Sequence, residues 1–223
     1  MKPVRMGRSL GVAFALGFAS FLAASAALAD ATVQSLKGDA RAGNTVLANN
    51  QRVYSGATLH TGPGALLTLK FDDGQQIVLD QNTSFRITDF RYRAAEPRGD
   101  RAVFDLLRGA LRFVTGIVGS RNANTVALRV PQATIGIRGT DFMVALVNPA
   151  FVNVINGAVG VTNGGGTAVF GAGGIGSVAN AGSLAVGIPS SALPPAASSA
   201  FSNLAAAQVT AGTTAGAGGA AQG

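Results

Sequence analysis

The sequence contains no cysteine. This absence excludes thiol catalysis, thiolate metal ligation, covalent haem attachment and disulfide bonds. It also contains a single histidine, His60. His60 has neither a cysteine nor a second histidine with which to build a metal site, so we predict that it is a surface residue. A domain without disulfides must be stabilised by its own hydrophobic core, for which about 150 residues of β pattern suffice.

Charge is also missing from one end of the chain. Beyond residue 29, every charged residue lies between Asp30 and Asp141, and residues 142–223 carry none. The net charge is +7, but removing the three basic residues of the first 29 from the 17 present leaves 14 against 10 acidic residues, or +4. Such an excess favours anionic envelope polymers or lipid head groups. The chain lacks the dense basic patch that nucleic-acid binding requires, so we expect no nucleic-acid partner.

The first 29 residues have the three parts of a secretory signal peptide. We predict cleavage between Ala29 and Asp30, which leaves 194 residues, and therefore a periplasmic or secreted location in a bacterium. The alternative is an uncleaved anchor, because about 17 apolar residues are the lower limit of a membrane span. No membrane span is predicted after the cleavage site. The three parts are a basic start (Lys2, Arg5, Arg8), an apolar run (Leu10 to Ala26) and the small-residue site Ala27-Leu28-Ala29.

Alternating apolar residues predict β-strands along most of the chain. Leu67, Leu69 and Phe71 alternate with polar residues, which is typical of a strand with one buried face. Asp73-Gly74 predicts a two-residue hairpin turn, since both residues tolerate a positive φ. A glycine interrupts a later apolar run at Gly109, which indicates a bulge or a close backbone approach.

The pattern as a whole predicts an all-β domain over residues 30–186, built as a roll, a sandwich or a short solenoid-like stack of short strands. Residues 187–223 are rich in Ala, Gly and Ser and predict a flexible, low-complexity tail. A weak helix over 196–208 is the alternative for part of this tail.

Several stretches together resemble the FecR domain, a β-rich module of bacterial envelope proteins. The resemblance covers Thr32 to Gly182, and it is strongest where Arg138-Gly139-Thr140 is placed at a turn of a β-turn-β unit. The stretches are Thr32–Gly38, Gly56–Leu79, Leu106–Phe113, Val130–Phe142 and Val152–Val159.

The resemblance implies an exported sensing or binding module that depends on a partner. The regulators that define the family carry a cytoplasmic sigma-factor-binding region and a membrane helix ahead of the periplasmic part. Here only the predicted signal peptide precedes the domain. We therefore expect that this chain does not perform transmembrane signalling alone.

An arginine-rich segment provides the best candidate interaction surface. Arginine and aromatic residues are enriched in interface hot spots. The alternative is a solvated loop that protects an edge strand from aggregation. The candidate residues are Arg86, Phe90, Arg91, Tyr92, Arg93, Arg98 and Arg101.

A structural role is predicted for the FecR-like signature residues Gly136, Arg138, Gly139, Thr140 and Asp141. Gly139 permits a tight turn, and we favour an ion pair between Arg138 and an internal acid. The alternative is that Arg138 binds a ligand carboxylate.

Three other patterns indicate chemistry only weakly. Asp72, Asp73 and Asp80 have the side chains of a hydrolase or a calcium site, but turn chemistry explains the first two more simply. Arg98-Gly99-Asp100 is a tripeptide found in some adhesins. Gly171 to Gly176 matches a dinucleotide fingerprint, but no acid follows it to bind a ribose, so we predict a glycine turn.

We therefore expect a non-enzymatic module that binds an envelope protein or polymer, without cofactor or metal, and that takes part in envelope signalling. The first alternative is a structural or surface-assembly protein that self-associates through the uncharged part. The weakest alternative is a hydrolase that depends on the aspartates.

Overall fold

The computed structural model describes residues 30–209, and the predicted signal peptide lies outside the described residues. Within residues 30–209, fifteen strands form one mixed sheet, accompanied by two α-helices. The first ten strands are β1 (Ala31–Lys37), β2 (Ala40–Ala42), β3 (Thr45–Val46), β4 (Arg52–Val53), β5 (Thr58–Thr61), β6 (Leu66–Phe71), β7 (Gln76–Leu79), β8 (Ser84–Arg91), β9 (Arg101–Val114) and β10 (Val126–Val130). The later strands are β11 (Ala133–Leu146), β12 (Ala150–Asn163), β13 (Gly166–Gly171), β14 (Ile175–Val178) and β15 (Val186–Gly187), and the helices are α1 (Ile117–Arg121) and α2 (Pro195–Ala206).

The prediction of an all-β fold of short strands is confirmed. The strands follow the order β15-β14-β12-β11-β10-β9-β7-β6-β1-β4, with β2, β3, β5, β8 and β13 paired beside this path. Only β9 and β10 lie parallel among the paired strands; the other pairs are antiparallel. Among residues 30–209, no helix combines the length and hydrophobicity that a membrane span requires.

Three strands of 14 residues, β9, β11 and β12, form the centre of the fold, and each contains a glycine with a positive φ. The φ values are 87° at Gly109, 56° at Gly139 and 77° at Gly157. A Cβ atom at Gly109 would lie 2.6 Å from the Cα of Thr83, and one at Gly157 would lie 2.4 Å from the Gly139 carbonyl oxygen. The close approach predicted at Gly109 is therefore confirmed, and glycine is required at both positions.

Each of these glycines marks a bend, the point at which its long strand changes from one set of neighbours to another. The first half of β9 lies between β8 and β10, and its second half lies between β7 and β11. The Val130–Phe142 stretch is a β-turn-β unit, as predicted, but its turn is not at Gly139, which lies inside the continuous strand β11. The turn of that stretch is Pro131-Gln132, between the paired residues Val130 and Ala133. Gly139 instead marks a shift of register against β12.

The hairpin between β6 and β7 also differs from the prediction. Asp73 does not adopt a positive φ; the turn has three residues, Asp72 to Gly74, and only Gly74 is left-handed at 83°. The Phe71 N–H donates to the Gln75 carbonyl and closes this turn. A longer turn with glycine at its last position is a common alternative to the two-residue hairpin.

The core contains a chain of phenylalanine rings that crosses the bent strands. Successive ring centroids lie 4.9 to 5.7 Å apart, a spacing that favours tilted, edge-on or offset stacked pairs. The chain runs Phe90, Phe71, Phe104, Phe113, Phe142, with Phe85 stacked beside Phe104.

Residues 195–206 form α2, so the flexible tail predicted there is wrong and the alternative, a helix over 196–208, describes this segment. Pro195 occupies the first turn, where its missing N–H costs nothing. The buried residues Ala197, Ala200, Phe201 and Leu204 follow helical spacing and form one apolar stripe. This stripe packs on the second face of the sheet, against Val78, Ala110, Met143, Ala145 and Phe151. Composition suggested disorder because residues 187–223 are rich in Ala, Gly and Ser and the apolar stripe is short.

Candidate functional site

The arginine-rich segment forms the end of β8, the loop 92–100 and the start of β9. The loop contains one 3-10 turn at Pro97–Gly99. An open groove of about 690 Å³ lies against it. The groove is lined by Asp30, Phe90, Arg91, Tyr92, Arg93, Ala95, Glu96, Pro97, Arg98 and Gly99.

A buried aspartate, Asp100, holds the loop in place. It is 5% exposed, and its carboxylate accepts a hydrogen bond of 2.9 Å from the backbone N–H of Arg93. Its second oxygen lies 3.4 Å from the guanidinium of Arg121. Because a buried carboxylate requires such partners, these two contacts fix both ends of the loop.

Arg121 extends this arrangement from α1 to the aromatic side of the groove. Its guanidinium carbon lies 5.7 Å from the centre of the Tyr92 ring, within the range of a cation–π contact. It also donates to the carbonyl oxygen of Ala94 at 3.4 Å. Arg121 therefore contacts the loop at three points.

The helix that carries Arg121 is itself held by a second buried aspartate. The Asp73 carboxylate accepts hydrogen bonds from the N–H groups of Gln75 (2.9 Å) and Val118 (3.1 Å). Burial raises the pKa of Asp73 above its ordinary value of 3.8, although these hydrogen bonds act in the opposite direction. The β6–β7 hairpin is thus connected through α1 to the groove.

The arginines at the rim of the groove are exposed and paired only locally. Arg91 and Arg101 both lie within 3.0 Å of the Asp89 carboxylate, and the hydrogen bond from Arg91 is the main reason why the pKa of Asp89 is lowered. Arg93 lies 3.0 Å from Glu96, and both of these side chains are more than 70% exposed. Exposed pairs of this kind are weak, so a partner can replace them at little cost.

The seven predicted interaction residues do not all reach the surface. Phe90 lines the groove but is only 4% exposed and packs on Phe71, so it offers a partner almost no surface. Strand alternation explains this, because Phe90 and Arg91 point to opposite faces of β8. Tyr92 is half-buried, and the remaining predicted residues, Arg86, Arg91, Arg93, Arg98 and Arg101, are exposed.

Arg138 does not form the ion pair predicted for it, and the ion pair of the signature involves a different arginine. Arg138 is exposed and, among residues 30–209, forms no ion pair. Asp141 instead accepts two hydrogen bonds from Arg112 on the neighbouring strand, at 2.9 and 2.6 Å. Thr140 and Thr115 bond to each other across the same strands. The signature therefore stabilises the contact between β9 and β11, while Gly136 pairs with Gly160 of β12.

The three weaker patterns occupy structural positions. Asp73 and Asp80 are both buried, at opposite ends of β7, whereas Asp72 is exposed. Asp100 of the adhesin-like tripeptide is buried, so its carboxylate faces the protein. Gly171 to Gly176 spans the turn between β13 and β14, as the glycine-turn interpretation predicts. His60 is exposed on β5, and the described part of the chain contains no group of side chains suited to a metal ion.

Sequence reasoning missed Arg121 and Arg112, because each acts through a partner distant in sequence. Arg121 is 21 residues from Asp100, and Arg112 is 29 residues from Asp141. Only the alternation along β9 gave a signal: Arg112 follows the buried Leu111 and so lies on the opposite face. That face is covered by α2, and the Arg112 guanidinium lies 3.5 Å from the Leu204 carbonyl.

Comparison with protein families identifies residues 57–160 as matching the model of the FecR protein family. These residues run from β5 to the middle of β12 and so include both the groove's loop and the signature. No curated protein matches the sequence. Two solved crystal structures of a candidate anti-sigma factor from Parabacteroides distasonis ATCC 8503 are similar, with 15% identity and TM-scores of 0.46 and 0.47. Each match covers 59% of this chain and 58% of the solved chain.

Proposed function

We propose that this chain, which carries a FecR-like domain, is an exported, non-enzymatic binding module that takes part in envelope signalling. Its partner is a protein or an anionic polymer of the bacterial envelope, bound at the arginine-rich groove. The domain match supports a regulatory role. The main support for the proposal is the structure of loop 92–100. Asp100 and Arg121 hold this loop against the rest of the protein, while its arginines are exposed to solvent.

A fixed loop favours binding because little conformational entropy is lost when a partner arrives. The groove offers three arginines against two acidic residues, so it attracts a partner that carries carboxylate or phosphate groups. Tyr92 adds a half-buried aromatic surface beside these charges. Arginine next to tyrosine is a combination that binding hot spots favour.

The ion pairs at the rim explain how the groove stays ordered without a partner. Arg91 is held by Asp89, and Arg93 by Glu96, at positions where both arginines remain more than 60% exposed. An anionic partner replaces these weak ion pairs with contacts between the arginines and its own anionic groups. Arg98, which forms no ion pair among residues 30–209, is available without any exchange.

The test is the capture of envelope components by immobilised protein. We expect the variant Arg91→Glu/Arg93→Glu to lose at least tenfold in capture while it keeps its β-sheet circular dichroism. A matched control is Arg129→Glu/Arg138→Glu, which makes the same change of charge at exposed arginines outside the groove. The control should capture as the wild type does.

Protease treatment of the extract separates the two kinds of partner. Loss of capture after treatment identifies a protein, and retained capture identifies a polymer. Equal capture by the wild type and both double variants would contradict the proposal, because the groove would then make no contribution.

A further inference from the structure

The strand β13 is an open edge of the sheet. It has six residues, Gly166 to Gly171, and it pairs only with β12. The other strands that pair with a single neighbour, β3, β4 and β15, are two residues long. In the described part of the chain, β13 is therefore the longest strand with a free side.

The register of the hairpin determines which backbone groups face this free side. Asn163 pairs with Gly166 across the two-residue turn Gly164-Gly165, and the closing pair of such a turn exchanges hydrogen bonds. The next pair, Thr162 and Thr167, then directs its N–H and C=O groups outwards. The two threonine hydroxyls lie 2.9 Å apart, consistent with the closer spacing of a pair without backbone hydrogen bonds.

The alternation continues along the strand, so Val169 and Gly171 also direct their backbone groups outwards. Among residues 30–209, no turn or loop donates to or accepts from the backbone of Thr167 or Val169. The carbonyl of Gly171 accepts from the Gly174 N–H within the following turn. Unpaired groups on a regular strand are a template for another strand.

The side chains at this edge do not prevent pairing. Val169 is 70% exposed, and its neighbours Thr167 and Gly171 are exposed as well. Proteins commonly protect an edge with lysine, proline or an inward-pointing charge. β13 contains none of these, and no charged residue occurs anywhere from residue 142 to residue 223.

We propose that β13 pairs with β13 of a second copy of this chain, antiparallel and about a two-fold axis at Val169. In this arrangement Val169 lies opposite Val169 of the other copy, and Thr167 lies opposite Gly171. A two-fold contact requires only that one surface fits itself. The β-branched Val169 pair contributes favourably, and no like charges oppose each other.

A second copy fits this edge better than a charged partner does. Charge complementarity selects one foreign protein over others, and this edge has no charge with which to select. The contact shares no residue with the arginine-rich groove. The inference is therefore independent of the proposed function.

The test is the molar mass of the purified chain in solution, followed by sedimentation over about a hundredfold range of concentration. We expect the mass to rise towards twice that of the monomer. Val169→Asp should remain monomeric, since it places two carboxylates opposite each other. Val46→Asp is the matched control, because Val46 is 59% exposed on the short edge strand β3. It should dimerise as the wild type does.

A second measurement locates the contact directly. Because the chain has no cysteine, Val169→Cys introduces a unique thiol that a short bis-maleimide can link across the two-fold axis. We expect efficient linkage at position 169 and little with Val46→Cys. A wild type that is monomeric throughout, a Val169→Asp variant that still dimerises, equal linkage at both positions, or growth beyond the dimer would overturn the proposal.

Discussion

Residues 30–141 and residues 142–209 are built from the same kind of strand but have opposite surface chemistry. Both parts contain 14-residue strands that bend at a glycine with a positive φ. The first part contains all the ion pairs of the described residues, whereas the second has no charged side chain. The two parts thus share the bend at a glycine and differ in the charge of their surfaces.

The difference is the basis of the two proposals for how each part contacts other molecules. In the first part, charges order a loop and leave arginines outside it, which suits an anionic partner. In the second part, an edge strand without charge remains open, which suits pairing with an identical strand.

The largest effect is expected at the bends. Gly109→Ala in the first part and Gly157→Ala in the second should each lower the free energy of unfolding by about 2–5 kcal/mol, because each combines a left-handed backbone with a steric clash. Urea unfolding measures the loss. Gly160→Ala, also in β12, has nothing within 4 Å of its Cβ and should change stability little. If only one of the two substitutions lowers the free energy of unfolding, glycine is not required at both bends.

The next effect concerns the ion pair of the first part that joins β9 to β11. Arg112 and Asp141 have side chains only 11% and 18% exposed. Asp141→Ala should cost about 3 kcal/mol, because it leaves the Arg112 cation largely buried without its partner. The double variant Arg112→Met/Asp141→Leu should recover most of this loss. A double variant as unstable as the single one would show that the pair's hydrogen bonds, rather than the isolated charge, dominate.

A smaller effect is expected where α2 covers the sheet. Phe201→Ala removes the largest side chain of the helix's buried stripe and should cost about 2 kcal/mol, less than in a closed core because the helix can leave the sheet. Hydrogen exchange should show faster exchange in α2 and in no other element. Ser199→Ala, on the exposed side of the helix, should leave exchange unchanged.

The sequence allowed the strands to be predicted, but only part of the site. Alternation at Leu67, Leu69 and Phe71 is a local signal, and it identified β6 correctly. The helix α2 was predicted only as the alternative to a flexible tail, because its apolar stripe is short and only the sheet beneath it supplies the burial that makes it stable.

In the site, too, features set by neighbouring residues could be predicted, and contacts between residues distant in sequence could not. The loop 92–100 could be predicted because arginine, proline and glycine interrupt the apolar pattern there. Its support by Arg121 could not, since that contact depends on the route of the chain through β9 and α1. The same reason explains why the partnership of Asp141 with Arg112, on a neighbouring strand, was not predicted.

The smallest effect is a difference in pH dependence between two aspartates. Burial raises the pKa of Asp80, which accepts a hydrogen bond from Asn203 of α2, while the hydrogen bond from Arg91 lowers the pKa of Asp89. A raised pKa means that the folded chain binds the proton more tightly, so Asp80 adds stability as the pH falls through its folded pKa towards 3.8. Asp89 has the opposite sign: its contribution is present above 3.8 and is lost as the pH falls below 3.8 towards its folded pKa.

Two neutral variants measure these contributions. Asp80→Asn should flatten the dependence of unfolding free energy on pH above 3.8, and Asp89→Asn should flatten it below 3.8. Each change should be smaller than the losses expected at the bends and at the buried ion pair. Urea unfolding at a series of pH values gives both slopes. Equal slopes in the two variants would contradict the assigned directions.

The central claim is that the charged part binds an envelope partner while the uncharged part pairs with itself. The most direct measurement compares the wild type, Arg91→Glu/Arg93→Glu and Val169→Asp in one experiment, with partner capture and molar mass recorded for each. We expect the arginine variant to lose capture and still dimerise, and Val169→Asp to remain monomeric and still capture the partner. If the arginine variant captures as much as the wild type does, the claim that the groove is the binding surface is wrong.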